Sequence, residues 1–222
     1  MPSYSVDRHA RSPVSTSPQA RAPRGPLRRL GRSIARFTEA VRADHALVLH
    51  QGVKYGSKPD EPEDLASALV HKVGLQMLAA CRIMRLCASA RVPLAPRVVS
   101  RLIRHAYGAD IHWDAELAPG IMIVHGMGLV VSYAAIVGPG VILCQNVTLG
   151  VGRHPETGET GGPTIEENVF IGTGATLLGP ITVGAGSKIM PGCVLVRSVP
   201  PNSIVQTSRP VVSPRSRVLR VA

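Results

Sequence analysis

The chain has 222 residues and a formal charge of +11; it is 45% hydrophobic but only 3% aromatic, and holds 22 glycines and 19 prolines. That length fits one domain with appendages or two small ones, and its core must be aliphatic. The mixture disfavours a β-sandwich, which usually spends aromatics, and favours a repetitive β architecture.

The charge is concentrated at the ends. Residues 1–32 carry seven arginines and one acid, residues 209–222 carry four arginines and no acid, and about +1 remains for everything between. Such tails can touch nucleic acid or an anionic membrane; a solvated basic extension (1–29 and 209–222) is the plainer reading, with no nucleic-acid partner expected. Cys81, Cys87, Cys144 and Cys193 show no C-x-x-C spacing and follow no signal peptide. Reduced thiols and a cytoplasmic location are therefore expected. The N-terminus is Arg/Ser-rich like a transit peptide, but Pro13, Pro18, Pro23 and Pro26 interrupt any amphipathic helix there.

An α-helical region is expected over 30–107. A first helix runs from about Leu30 to Leu49, with Ile34, Phe37, Val41 and Leu47 apolar. After a Gly/Ser/Lys loop, Asp60-Glu61-Pro62 opens a second helix over roughly 63–90. Lys72, Arg82 and Arg85 interrupt its apolar run, short of the ~18 uncharged residues that a membrane span needs, so no integral membrane association is expected. Pro93 and Pro96 end it, and a short helix over 97–106 carries Arg97, Arg101 and Arg104.

From 108 to 208 the period becomes six. Every sixth residue from 111 reads Ile111, Leu117, Ile123, Leu129, Ala135, Val141 and Val147; the series resumes as Ile165, Ile171, Leu177, Val183, Ile189 and Leu195. This is the hexapeptide repeat of a parallel β-helix, in which no unit buries its aliphatic residue alone but stacked coils do. The interruption at 150–164, GVGRHPETGETGGPT, is a long loop on a rigid scaffold, the usual place for function.

Three stretches carry a family resemblance: DIHWDAELAPGIMIVHGMGLVV from 110, ILCQNVTLG from 142 and IGTGATLLGPITVGAGSKI from 171, with a fainter likeness in HKVGLQMLAACRIMRL. Residues 107–208 resemble the serine acetyltransferases. The resemblance implies a mainly β fold, a left-handed parallel β-helix behind a short α-helical region, and transfer of acetyl from acetyl-CoA, a co-substrate, to the hydroxyl of a small acceptor, serine or serine-like. It also implies a homotrimer, with a hexamer left open because the helical region is short.

In that family an aspartate and a histidine fifteen residues apart form the catalytic dyad, and these match Asp110 and His125. The chemistry agrees. An alcohol must lose a proton to attack a thioester, and imidazole, with a pKa near 6.5, suits that task. A carboxylate on its far nitrogen fixes the tautomer and stabilises the imidazolium. His112 belongs to the family's Asp-Ile-His triplet and is read as structural. The resemblance places acetyl-CoA at Thr173, Gly174 and Lys188, in a groove between subunits. Cys144, inside the repeat with no base assigned, reads as packing. A zinc site like that of hexapeptide-repeat carbonic anhydrases is not expected, because only His154 follows His125.

The acceptor side departs from the family. Val124 stands where an acid usually precedes the histidine. Arg153-His154-Pro155, the triplet that grips the serine carboxylate, sits at the start of a longer loop, with Gly162-Pro163-Thr164 in its usual place. Ser132-Tyr133 replace Gly-Glu. Asp44 matches a family aspartate that contacts serine, though on its own it reads as a helix-surface carboxylate. A saccharide hydroxyl as acceptor, and a non-catalytic trimeric scaffold with basic tails, are the competing readings.

Overall fold

The structure, a computed structural model, describes residues 26–54 and 63–208. The expected helix start at Asp60-Glu61-Pro62, and nearly all of both basic tails, lie outside the described residues.

Four helices come first. α1 spans Pro26–Lys54 and so exceeds its expected bounds at both ends. Ala40, Val41, Asp44 and Val48 form its buried stripe, while Ile34 is exposed; the three-and-four spacing confines burial to one face. The single helix expected over 63–90 is two, α2 (Leu65–His71) and α3 (Val73–Ser89). Asp64 caps α2 by accepting the N–H of Ser67 at 2.7 Å. At Lys72 the backbone is extended (φ −97°, ψ 96°), which separates the two helices. α4 covers Ala95–Tyr107, with Pro96 in its first turn and Gly108 (φ 62°) ending it.

Asp44 corrects the expectation of a helix-surface carboxylate. It is 0% exposed, and its carboxylate ties α1 to α3 and to the first coil. Arg82 grips both oxygens at 3.0 Å, and the N–H groups of Gly120 and Ile121 donate to Oδ1 at 2.9 and 3.0 Å. Arg82 also donates to the carbonyls of Leu117 and Ala118, at 2.5 and 2.7 Å. With four hydrogen bonds and no exposed surface, this carboxylate is a structural tie in the described chain. A buried ion pair is tolerated only when so fully satisfied.

The remaining described chain is a parallel β-helix with three sheets of five, four and five strands. β1 (Asp110–Ile111), β2 (Glu116–Leu117), β3 (Met122–Ile123) and β4 (Val130–Val131) are its first turn and the start of the next. Inward residues stack coil on coil: Ile111, Val131, Leu149, Leu177 and Leu195 in one sheet; Leu117, Val137, Ile165 and Val183 in the second; Ile123, Leu143, Ile171, Ile189 and Val205 in the third.

This register corrects the six-step frame between 129 and 147. Leu129, Ala135, Val141 and Val147 are buried, but they occupy a second inward position, two residues before the strand aliphatic. Ala109, Ala115, Ile121, Val169, Ala175, Ile181, Ser187 and Cys193 hold that position elsewhere, all buried. Because each hexad has two inward positions, a slip of two residues moves a count from one buried column to the other without an apparent break. The slip has a definite location: Ile111 pairs with Val131, twenty residues on, whereas Val131 pairs with Leu149, eighteen on. The two extra residues fall in the corner over 124–128.

Replacing Asp44 by Asn leaves Arg82 buried without its counter-charge, and breaking such a pair typically costs about 3–5 kcal/mol. Urea denaturation followed by circular dichroism should show a loss of that order. A loss of only about 1 kcal/mol or less, the value of a surface pair, would contradict this role.

Candidate active site

Each coil crosses three edges, and the candidate residues sort onto them. The edge leaving the β3 sheet carries the corners 124–128, 144–146, 172–174 and 190–192. Backbone bonds stack them: Asn146 N to Met127 O at 2.9 Å, Gly174 N to Gln145 O at 3.1 Å, and Gly192 N to Thr173 O at 2.9 Å. His125 and Thr173 therefore share one edge two coils apart, about 10 Å along the axis at the usual strand spacing.

His125 is the second residue of its corner. It is exposed, has φ 64°, and is spanned by a 2.8 Å bond from Gly126 N to Val124 O. A three-residue turn closed across a positive-φ residue is rare and strained, and strain of this kind collects at functional sites. The corner is pressed from behind by α3. A Cβ on Gly74 would meet the carbonyl oxygen of Ile123 at 1.9 Å, and one on Gly126 would meet Met77 Sδ at 2.5 Å. Both glycines are thus required for contact between helix and corner. Among the described residues the imidazole makes no hydrogen bond or ion pair.

Asp110 opens β1 beside the same corner. Its N–H donates to Leu129 O at 2.8 Å, and Gly128 N donates to Gly108 O at 2.9 Å. Its carboxylate is engaged with Arg104 of α4 rather than with His125: Arg104 Nη2 donates to Oδ1 at 2.5 Å. The dyad members are brought to adjoining coils at one edge, but they are not bonded to each other. Arg104 was visible in the sequence only as one of three arginines on a short helix; its place six residues before Asp110, at a glycine-capped helix end, was the available signal.

Thr173 and Gly174 form the corner two coils along. Gly174 has φ 70°, and an added Cβ there would meet nothing within 4 Å, so the surface is open. Lys188 is exposed on the next strand of the β3 sheet, in register with Phe170, and makes no ion pair among the described residues. Cys144 lies between these corners, buried. Burial raises its thiol pKa, against the opposing effect of a hydrogen bond with Thr173. Burial likewise pushes the Cys81 thiol up to about 12, despite the neighbouring Arg82 charge.

Arg153 and His154 sit elsewhere. The expected loop is a hairpin in which Gly152–Arg153 pairs antiparallel with Thr160–Gly161, and it leaves the edge after the β4 sheet. Arg153 Nε donates to Gly158 O at 3.1 Å. His154 Nδ1 accepts the N–H groups of Glu156 and Thr157 at 3.3 and 3.2 Å. Glu156 reaches Arg197 at 3.3 Å. Ser132, Tyr133 and His112 share this edge, with the His112 and Tyr133 rings 5.8 Å apart. Val124 packs against the core, beside His125 in sequence. Among the described residues no three His, Cys, Asp or Glu side chains form a group able to hold a metal. No described helix is long and apolar enough to cross a membrane.

Residues 162–197 match the family model of bacterial transferase hexapeptide (six repeats), the class that this repeat and coil define. Along part of its length the chain is similar to serine acetyltransferases. It is 40% identical over 132 residues to a serine acetyltransferase of Synechococcus elongatus, covering 60% of this chain and 53% of that protein. It is 39% identical over 132 residues to the Bacillus subtilis serine acetyltransferase, covering 60% of each. The chain thus spans between about half and three fifths of the length of these two relatives. Among solved structures, Neisseria gonorrhoeae serine acetyltransferase in complex with serine superposes with a TM-score of 0.68 at 26% identity, covering 82% of this chain and 70% of that one. The Vibrio cholerae serine acetyltransferase gives 0.67 at 28% identity, covering 82% and 67%. The left-handed parallel β-helix behind a helical region, implied by the resemblance, is the fold of this chain.

The raised thiol pKa values set a reactivity order. Burial disfavours the thiolate at Cys81 and Cys144, whereas Cys87 is partly exposed. Brief iodoacetamide treatment of the native protein, read by peptide mass spectrometry, should label Cys87 well before those two. Early labelling of Cys144 would show that its corner opens.

Proposed function

We propose that the protein is an acetyl-CoA-dependent O-acetyltransferase of the serine acetyltransferase type, acting on the hydroxyl of serine or a serine-like small molecule. The observation that carries this reading is the strained, exposed His125 in the five-residue corner 124–128, on the same edge as the open Thr173–Gly174 corner. A ring nitrogen of His125 takes the acceptor's hydroxyl proton as the oxygen attacks the thioester carbonyl. The tetrahedral intermediate collapses, the C–S bond breaks, and the imidazolium returns the proton to the departing thiolate. Such a base contributes about 10²–10⁴-fold. Asp110, on the adjoining coil, supplies the carboxylate for the other ring nitrogen. Acetyl-CoA runs along the edge towards Thr173 and Gly174, with Lys188 as a point charge for a phosphate.

The acceptor-side residues Arg153 and His154 lie on a different edge from His125, so a complete pocket needs a second copy of the chain. A homotrimer provides it. Exposed apolar side chains at Met127, Val130, Tyr133, Ile136, Val194 and Ile204 support such packing. The four free cysteines fit a reducing, cytoplasmic setting.

Purified protein given acetyl-CoA with serine, homoserine and a sugar panel should release CoA thiol with an amino-acid acceptor. His125→Ala should lower kcat by about 10²-fold or more; full activity in that variant would remove the base assignment. Because an unpaired charge in a pocket is costly, Val124→Asp should lower the KM for serine by roughly three- to tenfold, worth about one ordinary hydrogen bond. An unchanged KM would place the ammonium group elsewhere.

A further inference from the structure

Asp110 is gripped by a residue that nothing in the acetyl-transfer scheme has yet used. Arg104 Nη2 takes Oδ1, while Oδ2 accepts no hydrogen bond among the described residues. Arg104 belongs to the last turn of α4, and its own carbonyl accepts the N–H of the capping Gly108. Two residues later the chain enters β1. The same short connection therefore fixes the guanidinium, the turn and the carboxylate. α4 is itself anchored to that strand, with Ser100 Oγ donating to Ile111 O at 2.9 Å.

We propose that Arg104 is a positioning residue of the acetyl-transfer site, holding Asp110 by one oxygen so that the other is presented to His125. This rests on the reading of His125 as the base. A carboxylate free at both oxygens rotates about its Cβ–Cγ bond; one pinned by a guanidinium on a capped helix does not. The charge acts as well as the geometry. In general, a cation on a carboxylate weakens that carboxylate's hold on an imidazolium and so favours the neutral imidazole, the form that accepts a proton. The other charged groups on the elements against β1 and the corner are otherwise placed. On α4, Arg97 lies over the Trp113 ring at 5.5 Å, and Arg101 and His105 are exposed. On α3, Arg82 is engaged by Asp44 of α1 and Arg85 is exposed. His112 faces Asp114 at 3.8 Å.

Arg104→Gln and Arg104→Lys separate the two effects. Arg104 and Asp110 are 58% and 44% exposed, so both variants should melt at the wild-type temperature. In Arg104→Gln, kcat should fall about tenfold, within the hundredfold that a misplaced catalytic group can cost, with the KM for acetyl-CoA unchanged. The acid limb of kcat/KM should move up by about half a pH unit, a modest shift because the pair is solvent-screened. Arg104→Lys keeps the charge but not the fork, so the limb should stay in place while kcat falls less. NMR titration of the His125 imidazole gives a readout that needs no turnover. Its midpoint should rise in Arg104→Gln, and that rise should vanish in the Asp110→Asn background. An unmoved acid limb and imidazole midpoint in Arg104→Gln overturn the proposal. A shifted midpoint in a protein that releases no CoA with any acceptor supports the Arg104–Asp110–His125 arrangement and overturns the transferase reading alone.

Discussion

An aliphatic side chain resting on the one a full coil earlier is the constraint from which every other position in the β-helix is measured. Strands only two or three residues long have little pairing of their own, and they keep register because a one-residue slip would turn the whole inward set outward. With the larger column and the smaller column both filled, the coil interior has no room for chemistry. Function can enter only at the corners. Among the described corners, three depart from the regular three residues: the five-residue corner at 124–128, the hairpin that replaces the corner after Leu149, and the shortened corner after Leu195, where Val199 pairs with Val183 only sixteen residues back. The first carries His125 at positive φ, and the second carries Arg153 and His154.

The helical region bears on this because it backs the first of those corners. Gly74 and Gly126 are small where α3 meets the β3–His125 turn, and the Asp44–Arg82 pair fastens α1 and α3 to the carbonyl and amide groups of the preceding corner. Two arginine–aspartate pairs thus do different work. The buried one is saturated, and it matters through what its loss would expose. The exposed one, Arg104–Asp110, contributes little to stability, so its interest lies in where it leaves the carboxylate.

Much of the fold was legible because six-residue periodicity is a strong signal that few other architectures share. The hexad frame nevertheless slipped at His125, for a physical reason: a step of two passes from one buried column to the other, and hydropathy does not distinguish them. The helices were found, but the break at Lys72 was not, since the nearest breaker, Gly74, falls two residues later inside the next helical run and does not mark the extended residue itself. Asp110 and His125 were singled out through the family resemblance, and the structure brings them to adjoining coils at one edge. Arg104 and the burial of Asp44 were not legible, because each depends on a contact between segments: six residues apart across a helix end in one case, and 38 residues apart between α1 and α3 in the other. The only trace of the buried pair was Arg82 itself, a cation in the middle of an apolar helical run.

The separation of edges also constrains how an acceptor is recognised. In a rigid three-sided coil, a residue on one edge cannot be moved to another by small relaxations, because the inward ladders fix both. On the proposed reading, His125 and the hairpin therefore meet across one acceptor only when two copies of the chain face each other, with His125 from one and the Arg153–His154 hairpin from the other. Within each copy, Arg153 and His154 are folded back onto the hairpin's own backbone, and Val124 offers an apolar wall beside the base. An acceptor bound there would have its ammonium group unpaired unless the facing copy supplies a carboxylate. On the described residues, Glu156 and Glu159 of the hairpin are the acids nearest in sequence to Arg153 and His154, and Glu156 is already paired with Arg197. On the proposed reading, the lengthened hairpin is the segment that would bring both a cation and acids to the acceptor of the facing copy.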